Sequence, residues 1–119
     1  MEPQELHRQV EDALNRGDVD ALVALYEDDA RMVRDDGSSA TGLDAIRENW
    51  AGFVALGGRI VMTTRLAVDA GELALLSNAW TFTGEGMEFS SLTAEVARRQ
   101  ADGTWRYVID NPFAGAGAG

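Results

Sequence analysis

From Arg59 onward the apolar residues of this chain change period, and that change constrains the fold more than any other feature. Before it they recur every three or four residues, as on a helix with one buried face. After it they alternate, as on a half-buried strand. Glu2 to Arg16 carries Leu6, Val10, Ala13 and Leu14 at helical spacing, and Gly17 stands where a helix end favours glycine. Asp18 predicts the cap of a short second helix with Val19, Leu22, Val23, Leu25 and Tyr26 on its apolar face. Ala30–Arg34 reads as a short strand closed by a turn at Asp35-Asp36-Gly37. Thr41 precedes a third helix, Gly42–Leu56, with Asp44 as a capping-box-like partner and Ile46, Asn49, Trp50 and Phe53 on its inward stripe. Strands are predicted near Arg59–Asp69, Glu72–Thr83, Met87–Gln100 and Thr104–Asn111. Helices first and a meander second is the order of an α+β domain. The expectation is three helices on one curved, mostly antiparallel sheet.

The last two strands flank Asp102-Gly103, a strong hairpin signal. A two-residue loop there sets Ala101 opposite Thr104, Arg99 opposite Arg106, Ala97 opposite Val108 and Glu95 opposite Asp110. A slip of one residue would send every side chain to the other face. Directly opposed side chains have Cβ atoms roughly 4.5–5.5 Å apart, and like charges there are destabilising. Either the face is open to water and the repulsion is screened, or the pair is enclosed and one acid keeps its proton. The second arrangement produces acid/base groups that work near neutral pH. Alternation by itself favours the first, because Val96, Trp105, Tyr107 and Ile109 on the other face read as core.

Composition narrows the function. With 119 residues the chain has the size of one domain. Its formal charge of −10, from 20 acids against 10 basic residues, disfavours nucleic acid and anionic membranes as partners. Cysteine is absent and His7 is the single histidine, so disulfides and thiolate metal sites are excluded and the usual zinc and iron ligand sets are lacking. No metal and no cofactor is expected. No apolar run approaches the ~20 residues that span a bilayer, and the acidic N-terminus does not read as a signal peptide. A cytoplasmic location is expected. Residues 1–113 read as a single domain and Ala114–Gly119 as a flexible tail. His7 reads as a rim or surface residue. The acidic runs Glu27-Asp28-Asp29 and Asp35-Asp36 read as solvated turns, and Arg99 and Arg106 as partners of nearby acids.

The run ALNRGDVDALVALYEDDARMV (Ala13–Val33), the run TGLDAIRENW (Thr41–Trp50) and the closing hairpin together resemble the ketosteroid-isomerase-like, or nuclear-transport-factor-2-like, superfamily. Within it the chain looks most like the SnoaL-like group, whose members include polyketide cyclases. The resemblance implies a cone-shaped α+β barrel, a pocket between the helices and the concave face of the sheet, and a homodimer. The steroid isomerase's tyrosine would fall on Val10, its proton-shuttling aspartate on Arg34 and its protonated acid on Glu95. One role of three survives, so steroid isomerisation is not supported. The resemblance also turns Asp110 into the pocket beside Glu95. It thereby makes the apolar hairpin face, with Trp105, Tyr107 and Ile109, the convex side and a dimer interface. Asn78 and Trp80 share the pocket-facing parity, Asn49 and Trp50 approach from the third helix, and Val10, Tyr26 and Val108 complete the implied lining.

Two functions follow. In the first, a compact, largely apolar organic molecule, polyketide-like in character, binds in the pocket and undergoes cofactor-free proton transfer of the isomerase, cyclase or dehydratase type. Asp110 is then the general base and Glu95 the protonated partner, with roles that can exchange because the two titrate as a pair. In the second, the chain is a non-catalytic ligand-binding or dimerisation module.

Overall fold

The computed structural model describes residues 2–115. The helices are α1 (Glu5–Asn15), α2 (Val19–Val23) and α3 (Leu43–Ala55); the strands are β1 (Tyr26–Val33), β2 (Ser39–Thr41), β3 (Arg59–Asp69), β4 (Leu73–Gly84), β5 (Met87–Leu92), β6 (Ala94–Arg99) and β7 (Trp105–Asn111). The strands form one curved, unclosed sheet in the order β2-β1-β7-β6-β4-β3, with β5 also paired to β4. All pairs are antiparallel except β1 with β7. This is the α+β order expected, with β2 as an added strand. Of the expected tail, residues 116–119 lie outside the described residues.

Local chemistry sets the helix ends. Gly17, at φ 72°, closes α1 in a Schellman arrangement, its N–H bonded to the Leu14 carbonyl and that of Asp18 to the Ala13 carbonyl. The Asp18 carboxylate then accepts the Ala21 N–H at 3.0 Å and caps α2. Helix α3 starts differently from expectation. Gly42 is its N-cap, with no side-chain cap bond, because Thr41 is already committed to β2, opposite Arg31.

A polar seam lays α1 along the edge strand β3. His7, Glu11 and Asn15 recur at every fourth residue, on one face of the helix. Asn15 donates to the Ile60 carbonyl at 2.9 Å and accepts the Ile60 N–H at 2.7 Å. Glu11 accepts the Met62 N–H at 2.7 Å, and His7 Nδ1 meets the Thr64 hydroxyl at 2.7 Å. Asn15 and Glu11 thereby satisfy backbone groups that an edge strand would leave unpaired, and His7 docks on a side chain.

Beyond the seam the sheet bends. Strand β3 carries a bulge between Thr64 and Leu66, and the expected strand Met87–Gln100 is broken at Thr93. Both irregularities flank Ser77 and Asn78 of β4. There the Thr93 hydroxyl accepts the Asn78 N–H at 2.8 Å and the Ser77 hydroxyl donates to the Thr93 carbonyl at 2.6 Å. Bulges sharpen bend and twist, so the sheet wraps around the helices with Asn78 at the bend. Ala74, Leu76, Asn78, Trp80 and Phe82 of β4 all point inward and are buried.

The closing hairpin corrects the expected register. Its loop has three residues, not two. Gln100 and Thr104 close it through the Gln100 N–H on the Thr104 carbonyl at 2.7 Å, and Gly103 takes φ 86°. This is the usual three-residue alternative to a two-residue turn. Arg98 therefore faces Arg106, Ala97 faces Tyr107 and Arg99 faces Trp105. A register shift then places one unopposed residue, Val108, in β7, after which Val96 faces Ile109 and Glu95 faces Asp110. The two displacements cancel at the carboxylates and not between them. Trp105 and Tyr107, expected on the convex face, are buried in the core (2 % and 0 % exposed), whereas Ile109 is 46 % exposed on the outside.

Candidate functional site

Glu95 of β6 and Asp110 of β7 lie side by side on the concave face, 3 % and 4 % exposed. Each is held by a different partner. Glu95 Oε1 lies 2.6 Å from His7 Nε2, whose other nitrogen is fixed by Thr64. The rim or surface position expected for His7 is thus overturned: the ring is 3 % exposed and bridges α1 to two strands. A signal was present, since His7, Val10 and Leu14 share the i, i+3, i+7 spacing of one helix face.

Asp110 is held by a chain of donors. Trp50 Nε1–H donates to the Tyr26 hydroxyl oxygen at 3.2 Å, and that hydroxyl donates to Asp110 Oδ2 at 2.5 Å. Asp110 Oδ1 is buried with no hydrogen-bond partner among the described residues. Burial, and then the charge of Glu95, raise the Asp110 pKa to about 8 against the Tyr26 bond, which lowers it. Because Tyr26 already donates to Oδ2, the retained proton belongs on Oδ1. Burial also pushes the phenols of Tyr26 and Tyr107 well above their ordinary value. The charges of Asp110 on Tyr26 and of Glu95 on Tyr107 push them further, so both remain neutral, Tyr26 as the donor to Asp110.

Both acids line a cavity with Val10 of α1, Met32 of β1, Trp50 and Phe53 of α3, Ile60 and Met62 of β3, Asn78 and Trp80 of β4, and Thr93 and Pro112. Its volume is about 20 Å³, room for a single water. Asn78 is fully buried at its wall, and neither its amide nitrogen nor its amide oxygen has a partner among the described residues. In an apolar enclosure such atoms await a polar group, because an unmet buried donor or acceptor costs about 1–3 kcal/mol.

Of the expected lining, Val10, Trp50, Asn78 and Trp80 face this cavity. Tyr26 sits behind it, in contact through Asp110. Asn49 lies beyond it, on an outer groove, and donates to the Met32 sulfur at 3.2 Å. Val108 does not line it, because the register shift places it outside the inward alternation. Arg34, aligned with the isomerase's base, is bonded to Ser38 and Ser39 in the β1–β2 turn, away from both acids. Arg99 does not face Arg106; it lies over the Trp105 ring at 5.1 Å and 3.7 Å from Asp69. Among the described residues no group of three or more His, Asp or Glu side chains is arranged to hold a metal ion. Likewise, no helix among them is long and apolar enough to cross a membrane.

The geometry can be set beside known proteins. The family model for the SnoaL-like domain matches residues 6–111. The chain belongs to the SnoaL-like family. Solved structures share the fold of this SnoaL-like chain at low identity. A nuclear-transport-factor-2-like protein of unknown function from Shewanella oneidensis superposes with a TM-score of 0.80 at 18 % identity, covering 91 % of this chain and 93 % of that one. A ketosteroid isomerase-like protein from Erwinia carotovora atroseptica gives 0.73 at 20 % identity, with 92 % and 90 % covered. A protein described as a scytalone dehydratase, from Novosphingobium aromaticivorans, gives 0.77 at 14 % identity, with 91 % and 78 % covered. No curated protein matches the chain by sequence.

Proposed function

We propose that this SnoaL-like chain binds a small, largely apolar organic molecule and performs cofactor-free acid/base chemistry of the isomerase, cyclase or dehydratase type, in the cytoplasm. The observation that carries the reading is the unequal treatment of two adjacent acids. Glu95 is paired with His7 and Asp110 with Tyr26, and the free oxygen of Asp110 shares an apolar cavity with the unpartnered Asn78 amide. Neighbouring carboxyl groups pushed apart by their surroundings divide into an acid and a base.

The roles expected from the sequence are thereby exchanged. Asp110 holds the proton at neutral pH and is the acid; Glu95, steadied by the imidazole, is the base. A ligand carbonyl oxygen in the cavity accepts hydrogen bonds from Asp110 Oδ1–H and Asn78 Nδ2–H. Glu95 takes a proton from the carbon next to that carbonyl, and the electron pair moves onto the oxygen, where the two donors stabilise it. Return of the proton to another carbon isomerises the molecule. Delivery of that proton from Glu95 to a departing β-hydroxyl instead releases water and dehydrates the molecule. The isomerase-like and dehydratase names of two structural neighbours belong to the same pair of reaction types.

Carboxyl-carbon NMR titration tests the reading. Asp110 is expected to titrate near pH 8, and a midpoint below about pH 5, close to the free side chain, would overturn it.

The exposed sheet face favours a second reading, a dimerisation module. Val68, Leu75, Val96 and Ile109 stand opposite one another across β3, β4, β6 and β7, and all but the half-buried Val96 are more than 40 % exposed. A contiguous apolar row of this kind is suited to a second copy of the same face. The dimer face proposed is this row, in place of one built on Trp105 and Tyr107.

A further inference from the structure

The inner cavity is too small for any organic molecule, yet an open groove of about 660 Å³ lies against it, between α3 and β5. That is a usual size for a small-molecule site. Asn49, Phe53 and Leu56 form one side of the groove, Phe89 and Phe113 the other, and Trp80 its floor. Two residues, Phe53 and Trp80, line both spaces and so form the partition between them.

The two halves of the partition are held differently. Trp80 is pinned, with Nε1 donating to the Pro112 carbonyl at 2.7 Å and its ring edge-on to Phe113 at 6.0 Å. Phe53 has no polar anchor. Its half-buried ring rests on Trp50 at 5.8 Å and Phe82 at 5.7 Å, one residue after Gly52, which offers no side chain to obstruct it. Exposed-side ring rotation of such a residue needs no hydrogen bond to break.

We propose that Phe53 is a gate, and that the complete ligand site is the inner cavity joined to the outer groove when the Phe53 ring turns aside. This deepens the proposed function and rests on its claim that Asn78 faces the ligand. The site then takes a two-part molecule. One hydrogen-bonding end reaches Asn78 and Asp110, and a flat apolar body lies in the groove against Phe89, Phe113 and Trp80. The molecule is not an anion, because Asp35 and Glu88 border the groove in a chain of net charge −10 and repel anions.

Stopped-flow binding of Prodan, a neutral naphthalene ketone, tests the gate, with the anionic naphthalene dye ANS as the charge control. Prodan is expected to bind with blue-shifted emission and ANS at least tenfold more weakly. Phe53→Ala should raise the Prodan association rate at least tenfold and Phe53→Trp should lower it. Phe53→Leu, which keeps most of the apolar volume, gives an intermediate rate and guards against loss of fold, checked by circular dichroism. Equal association rates in the natural chain and the Phe53 variants, or no binding by any of them up to the solubility limit of the dye, overturn the gate. Asn78→Leu separates the two claims. If it weakens binding at least tenfold while the Phe53 variants change nothing, the inner site stands and the gate falls. If it changes nothing, the two-part site falls together with the Asn78 role on which it rests.

Discussion

Beyond the unopposed Val108, the two faces of the hairpin β6–β7 invert the distribution of polarity seen at its loop end, where Trp105 and Tyr107 are buried and Arg98 and Arg106 exposed. On the concave face Glu95 and Asp110 are almost fully buried, while on the convex face the adjacent Ile109 is half open to water. Folding for stability alone would place these residues the other way round, since a buried charge is costly unless paired and exposed apolar area contributes nothing. On the proposed function the inner face carries ionisable groups that use an enclosed setting, and on the dimer reading the outer one carries apolar area that a second copy covers.

The largest loss of stability should come from His7. His7→Ala leaves the Glu95 carboxyl group buried without its hydrogen-bond partner, and an unmet buried polar group costs about 1–3 kcal/mol. Urea denaturation at pH 7 should show a loss of that size; a loss under about 1 kcal/mol would mean that the pair is not closed off from water.

Next comes Asp110→Asn, whose effect depends on pH. Asp110 keeps its proton in the native state up to about pH 8, against 3.8 for the free side chain. Between these values unfolding releases a proton, so stability falls as pH rises through the window, by up to about 1.4 kcal/mol per unit. The variant cannot release that proton. It should match the natural chain near pH 4, exceed it in thermal stability at pH 8–9, and show a flatter profile between. Parallel profiles for the two proteins would remove Asp110 as the titrating group.

The outer face should give the smallest change in stability. Ile109→Lys alters an exposed side chain and should shift monomer stability by no more than about 0.5 kcal/mol. Light scattering should nevertheless find a dimer for the natural chain and a monomer for the variant. A natural chain that is monomeric at high concentration would leave the apolar row without an occupant and remove the outer half of the contrast.

Much of the fold was legible because hydrophobic period is a local property. The change at Arg59 located the border between helices and meander, and β3 has the bounds that the pattern predicted. The irregular positions were not legible. Val108 has no glycine or proline to announce an unopposed residue, and the three-residue loop uses the same Asp-Gly that marks a two-residue one. A uniform two-residue register sets Glu95 opposite Asp110 because two displacements compensate there, and it sends Trp105 and Tyr107, which lie between them, to the wrong side. Thr93 likewise breaks a strand through side-chain bonds to Ser77 and Asn78 that no local signal reveals. His7 was legible in principle from its helical spacing, but its partner stands 88 residues away.

That distance has a consequence for how the molecule opens. Helix α1 both covers the edge of β3 and delivers the imidazole to Glu95, through side chains spaced a turn apart. Local undocking of this one helix would uncover an unpaired strand edge and strand a carboxylate in the same event, so neither can occur alone. The backbone amides of Ile60 and Met62, whose partners are side chains of α1, would then lose protection from hydrogen exchange in step with the loss of the His7 contact.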